Sequence, residues 1–269
     1  MINFKIKPPE ETSGAIGEND RFTSWFFLTD GDLWLTFGDQ TIYEYTSEAM
    51  EYFEDKSTPY SDYQVSRFVE DFSDIFKNIR ETVPENFYEL AENVTQFYKD
   101  LKHWKSLNED GDEAHYDAFM DNVDILYSWV RERALLGIHL LGGPTLYFFR
   151  HDDKVKIVWE TDFVLENGAK LWTAKNGSCE MEYDDFRKRI IEFARNYFLA
   201  MDNQIKLAIA RDWGDIILDK KRLVEEQEER KFDFYSEFSK LWHEPEEKTN
   251  WEEIEEIYKL MRDELDGSR

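Results

Sequence analysis

Apolar residues recur along this chain with two different periods. Near the N-terminal end, Phe22 to Thr29 and Leu33 to Phe37 are short runs dense in aromatic and aliphatic side chains. They are parted by Asp30-Gly31, a dipeptide that tolerates the positive φ angles of a tight hairpin turn. Gly38-Asp39 makes a second turn into Thr41–Tyr45, so the spacing predicts a three-stranded meander. Trp25, Phe26, Phe27, Leu28, Leu33, Trp34 and Leu35 place apolar groups on both faces, which predicts a sheet covered on both sides.

From Tyr63 the period changes to steps of three and four. Val65, Phe68, Val69, Phe72, Ile75, Phe76 and Ile79 form one stripe of a helix spanning Tyr63 to Val83, which Pro84 ends. Phe87, Leu90, Ala91, Val94, Phe97, Tyr98 and Leu101 mark a second helix to about Leu107. Phe119, Val123, Leu126, Tyr127 and Val130 mark a third, from about Glu113 to Leu136. Gly142-Gly143-Pro144 breaks the helical pattern. Leu146–Arg150 and Val155–Glu160 then predict a hairpin about Asp152-Asp153, and Lys170–Lys175 and Ser178–Tyr183 another about Asn176-Gly177.

The remainder reads as helix: Asp184 to Asp212, Lys220 to Trp242, and Trp251 to Leu265 after the break at His243-Glu244-Pro245. Trp251, Ile254, Ile257, Tyr258, Met261 and Leu265 form a clean stripe that requires a surface to cover. No internal repeat of about 20–50 residues is visible. The expectation is an α+β fold, with one antiparallel sheet built from the two β segments and covered by the helical insert and the C-terminal helices. Residues 1–212 form the α+β domain. Residues 213–269 are a helical extension docked on it or on a partner, the second case giving a homodimer.

Composition sharpens this picture. The chain is 41% hydrophobic and 16% aromatic, enough for a core rich in large rings. Cys179 is the only cysteine, so no internal disulfide exists, which favours a reducing, cytoplasmic compartment. No apolar stretch of signal-peptide type follows Met1, and the most apolar run, Ala134 to Leu141, is too short to span a bilayer. The formal net charge of −26 repels phosphate backbones and anionic lipids, disfavouring nucleic-acid and membrane-surface binding, and suits a protein partner with a basic surface.

Candidate chemistry is sparse. The five histidines, His103, His115, His139, His151 and His243, form no metal-ligand pair by spacing, and one cysteine cannot supply a zinc cluster. Ser106 to Asp117 has a superficial likeness to a calcium loop. It starts on an uncharged serine and ends on Asp rather than Glu, so a solvated acidic turn is expected. Nucleophile elbows, Walker loops and Gly-x-Gly-x-x-Gly turns are absent. No metal, cofactor or catalytic residue is assigned. Arg67, Arg131, Arg133 and Arg150 stand among aromatic segments, where arginine stacks on rings and pairs with carboxylates. Residues two apart on a helix diverge, so only one of Arg131 and Arg133 is expected to be buried against a carboxylate.

The stretch Trp25-Phe26-Phe27-Leu28-Thr29-Asp30-Gly31-Asp32-Leu33-Trp34-Leu35 resembles the opening of a bacterial family known only as a domain of unknown function. The order of later parts is also similar. These are Tyr63 to Arg67 as Tyr-x-x-x-Arg, Trp129-Val130-Arg131-Glu132-Arg133, Tyr147 to Trp159 as an aromatic hairpin, and Trp172-Thr173-Ala174-Lys175-Asn176-Gly177. The resemblance covers roughly residues 1–205 and implies a domain extent but no reaction. The expected function is an acidic protein-binding module, of the kind a bacterial immunity or inhibitor protein uses against a basic toxin. The alternatives are an enzyme with a spatially assembled, arginine-containing anion pocket, or a self-associating structural subunit. Trp25, Asp30, Tyr63, Arg67, Trp129, Arg131, Arg133 and His139 are the candidate binding residues.

Overall fold

The computed structural model describes residues 1–12, 15–16, 21–54, 58–109, 113–246 and 248–267. The chain opens with β1 (Ile2–Ile6), β2 (Ala15–Ile16), β3 (Arg21–Phe22), β4 (Asp30–Phe37) and β5 (Gln40–Ile42). It continues through α1 (Ser47–Tyr52), β6 (Ser61–Gln64), α2 (Val65–Asp74) and α3 (Phe76–Ile79). The insert holds α4 (Glu85–Leu90), α5 (Val94–Leu107) and α6 (Glu113–Arg131). Next come β7 (Ala134–Leu136), β8 (Thr145–His151), β9 (Lys154–Glu160) and β10 (Gly177–Glu182). The chain ends with α7 (Tyr183–Ala210), β11 (Ile216–Ile217), α8 (Lys220–Ser239) and α9 (Trp251–Gly267). Side-chain caps set several helix starts: Thr46 accepts from the Ala49 amide, Asn93 from Gln96, Asp219 from Lys221 and Arg222, and Asn250 from Glu253.

The fold is α+β, as expected, but the two β segments build separate sheets. In the first, β4 pairs with β1 along one edge and with β5 and β6 along the other, all antiparallel. The second runs β10-β9-β8-β7, also antiparallel. A small sheet of β11, β3 and β2 ties the start of the chain to the segment after α7. Between the two main sheets, Phe37 stacks on Trp159 with ring centroids 5.2 Å apart.

Several local expectations are corrected. Phe22 to Thr29 is not a strand of a hairpin: Trp25 and Phe26 turn, and Phe27–Thr29 is a 3-10 turn leading into β4. Asp30-Gly31 lies inside β4. A Cβ on Gly31 would stand 2.3 Å from the Lys5 carbonyl oxygen, so glycine is needed for the close approach of β1 rather than for a turn. The two-residue hairpin is at Gly38-Asp39, where Phe37 pairs with Gln40 and Gly38 has φ +58°. β1 itself went unassigned in the sequence, although Ile2, Phe4 and Ile6 alternate.

Tyr63 belongs to strand β6, and the helix expected from Tyr63 to Val83 begins at Val65 and is interrupted at Ile75. Ala134–Leu136 leaves the helical pattern to become strand β7. Lys170–Lys175 forms no strand, because its backbone groups are divided among partners. The Leu171 amide goes to Phe163, the Thr173 amide to Glu44, and the Leu171 carbonyl accepts from Thr46. Asn176 accepts from the Thr161 amide at 2.7 Å, and β10 pairs with β9 instead.

Strand alternation divides the interior in two. Leu146, Phe148, Val155 and Ile157 face a core shared with the first sheet, α2, α7 and α8. Tyr147, Phe149 and Val158 face a second core with α4, α5, α6 and α9. The apolar stripe of α9 docks within the same chain: Ile254, Ile257, Met261 and Leu265 are buried in that second core. The stripe on which the homodimer expectation rests is covered within this chain. No helix among the described residues is long and apolar enough to cross a membrane.

Candidate functional site

The eight candidate residues fall into five places, Arg131 standing apart from the other seven. Trp25 is buried and donates from Nε1 to Gln227 Oε1 at 2.7 Å, with the Arg230 guanidinium 4.4 Å from its ring centre. Arg230 is itself held by Glu226 and Glu70. Asp30 pairs with Lys7 at 3.3 Å. Both are therefore committed to internal contacts.

Tyr63, Arg67 and His139 do converge. β6, α2 and the loop after β7 bring them to one cleft, where His139 Nε2 lies 2.6 Å from Asp71 Oδ2 and the imidazole stacks on Tyr63 with centroids 6.0 Å apart. Arg67 closes the rim, paired with Glu70 at 3.4 Å and lying over Phe26 at 5.0 Å. The Tyr43 phenol at the back is held well above its usual range, first by burial and then by the Asp71 charge. The cavity holds about 30 Å³, room for a water or two but not for a substrate.

Trp129 and Arg133 meet beside the start of α9. Arg133 is 1% exposed, and its Nη2 donates to Glu81 Oε2 at 2.6 Å while Nη1 donates to the Trp129 carbonyl at 2.8 Å. Burial draws the guanidinium pKa down and the Glu81 charge opposes that. Glu81 also accepts from the Thr249 amide at 2.7 Å and its hydroxyl at 2.6 Å, so one carboxylate joins Arg133 to the segment that begins α9. The expected burial of one arginine of the pair is found, and Arg131 is exposed. Trp129 packs against Phe87, Phe97, Phe149 and Trp251 at 5.3–5.9 Å.

Above this support lies an open groove of about 730 Å³ between α6 and the start of α9. Ala118, Ile125, Trp129 and Ile254 supply its apolar lining, and Asp121, Asp124, Glu132 and Glu253 its charge. No cationic side chain lines it. All four carboxylates are exposed. The sequence pattern points to Trp129 but not to the acids: Asp121 and Asp124 are three apart on α6, but Glu132 follows its end and Glu253 is on α9, so their grouping depends on how α9 packs. Among the described residues, no group of three or more His, Cys, Asp or Glu is arranged to hold a metal ion. The calcium-like loop has its centre, 110–112, outside the described residues.

The sequence model of a family of unknown function, DUF5984, matches residues 1–257. The chain belongs to this family. The DUF5984 match extends past the residue 205 limit of the sequence resemblance and takes in α8 and the first part of α9. No curated protein and no solved structure matches the chain at a significant level.

Proposed function

We propose that this DUF5984 chain is an acidic protein-binding module, and that the groove between α6 and the start of α9 receives a basic segment of its partner. Supporting this is the groove's composition: four exposed carboxylates around an apolar floor with no cation among its lining residues. An apolar floor supplies contact energy, and the uncompensated charge speeds encounter with a basic surface. The Arg133–Glu81–Thr249 bonds hold the two walls in register, which lowers the ordering cost of binding. A bacterial immunity or inhibitor protein acting on a basic toxin is the biological class that fits this design. The arginine-pocket enzyme, expected at Arg67, Arg131 or His139, has less support, because these do not assemble into one pocket: Arg67 is paired with Glu70, the cavity beside His139 holds about 30 Å³, and Arg131 lies in a separate cleft.

The test is capture of the product of the neighbouring gene, with affinity measured against salt. Binding should weaken steeply as salt rises from roughly 50 to 500 mM, since exposed charges are screened over that range. The triple change Asp121→Asn, Asp124→Asn and Glu132→Gln should slow association at least tenfold, on the order expected when steering is removed. Unchanged association in that variant would refute the groove as the docking face.

A further inference from the structure

α6 has a second edge with the opposite character. Tyr127 and Arg131, one turn apart on α6, face Tyr98, Lys102 and Lys105 of α5 across a cleft of about 390 Å³, with Tyr147 of β8 at its inner end. Apolar residues of β7 complete the floor, and no carboxylate is among the lining residues. Lys102, Lys105 and Arg131 make no ion pair among the described residues. Lys105 and Arg131 stand in the last turns of α5 and α6, where cations complement the helix dipole, and together with Lys102 they leave the cleft lined by three basic residues in a chain with 59 acidic and 33 basic side chains.

The three tyrosine rings pack on one another at 47–50° and form a tilted aromatic wall against which one ring can rest. Tyr98 lies 5.5 Å from Tyr127 and 6.4 Å from Tyr147, and the Arg131 guanidinium sits 5.6 Å over Tyr127 while donating to its hydroxyl at 3.2 Å. Burial holds the Tyr98 and Tyr147 phenols above their usual range, so both remain neutral and bring no negative charge to the cleft. Glu160, behind this wall, is engaged by the Tyr147 and Thr95 hydroxyls.

We infer that this cleft binds a small aromatic anion, with the ring against Tyr98 and Tyr127 and a carboxylate or phosphate group among Lys102, Lys105 and Arg131. Its volume lies within the range of small-molecule sites, roughly 300–1,000 Å³. A nucleic acid strand is disfavoured, because the −26 charge of the whole chain repels a polyanion while the three local cations can still satisfy one anionic group. This inference is independent of the acidic groove and concerns a different ligand.

Calorimetric titration of the full chain with phenyl phosphate and phenylacetate tests it, with inorganic phosphate, benzyl alcohol and a short oligothymidylate as comparisons. At least one of the two aromatic anions should bind at one site, and whichever binds tighter identifies the anionic group. Arg131→Gln and Lys105→Gln should each weaken it roughly tenfold, the scale of one charge-assisted hydrogen bond. Lys206→Gln on α7 changes the net charge equally and should leave affinity unaltered, and melting curves should show all three variants folded. The inference fails if neither aromatic anion binds at millimolar concentration, or if the cleft variants bind as tightly as the parent. It fails equally if inorganic phosphate or benzyl alcohol alone binds as well, or if the oligonucleotide binds far more tightly than either probe.

Discussion

At the scale of single residues, the most consequential contact is the one between Arg133 and Glu81. Both are buried, and Glu81 additionally serves Thr249, so removing the acid strands a guanidinium in the interior and frees the start of α9. Glu81→Ala should destabilise the chain by about 3–5 kcal/mol, measured by denaturant titration, whereas Glu132→Ala at an exposed position should change it by less than about 0.5 kcal/mol. Asp74 presents the opposite situation. Burial first, then the Asp71 and Glu237 charges, raise its pKa above 3.8. A carboxyl whose folded-state pKa is raised binds more protons folded than unfolded, so it costs stability once ionised, and stability falls as pH rises from 3.8 through the folded value. Asp74→Asn should therefore melt higher than the parent at pH 7. The gain should shrink as pH is lowered through the folded-state pKa; a gain that persisted unchanged below pH 3.8 would mean that ionisation of Asp74 is not its source. One buried arginine out of Arg131 and Arg133 was expected from helix geometry, and one is found, but for a different reason: α6 ends at Arg131 and Arg133 turns inward in the two-residue link to β7. Its partner was not legible in the sequence, because Glu81 lies 52 residues away and only the fold brings it near.

At the scale of elements, helices were readable wherever their apolar stripe is continuous, as in α7 and α9, and strands were misread where backbone pairing is long-range. Asp30-Gly31 carries a turn signature, yet β1 and β6 pair directly across it, and sheet hydrogen bonds outweighed the local preference. Asn176-Gly177 failed as a hairpin for a related reason, since Leu171 and Trp172 are drawn into the first core and Trp172 donates to the Gly142 carbonyl at 2.7 Å. The docking of α9 gives a quantitative expectation. Met261 is fully buried against α5 and α6, so Met261→Ala should cost about 2–5 kcal/mol, and the molecular mass by light scattering should stay that of a single chain. A fall in mass would show that the helix joins two chains instead.

At the scale of the whole molecule, α6 is a divide between two surfaces of opposite sign. The acidic groove uses Asp121, Asp124 and Glu132 along one edge, while Tyr127 and Arg131 line the basic cleft along the other, and only packing against α5 and α9 decides which side chains share a concavity. The sequence showed an excess of acid and could not show that the excess is locally interrupted. That excess has its own consequence. With a net charge of −26, like charges repel throughout the compact state, and this repulsion is relieved when the chain expands. Ions screen it over a length of about 30 Å at 0.01 M and about 8 Å at 0.15 M. Raising sodium chloride from about 10 to 150 mM should therefore raise the melting temperature of the isolated chain. Surface ion pairs weaken with the same salt, but each is worth only about 0–1 kcal/mol, and the long-range repulsion of so many unpaired acids outweighs them. The same salt should weaken binding of a basic partner. Opposite signs of the two salt effects, stability rising while affinity falls, distinguish charge used for recognition from charge that merely keeps the chain soluble. A melting temperature that fell over this range would show that local ion pairs, and not net repulsion, govern the electrostatics of this molecule.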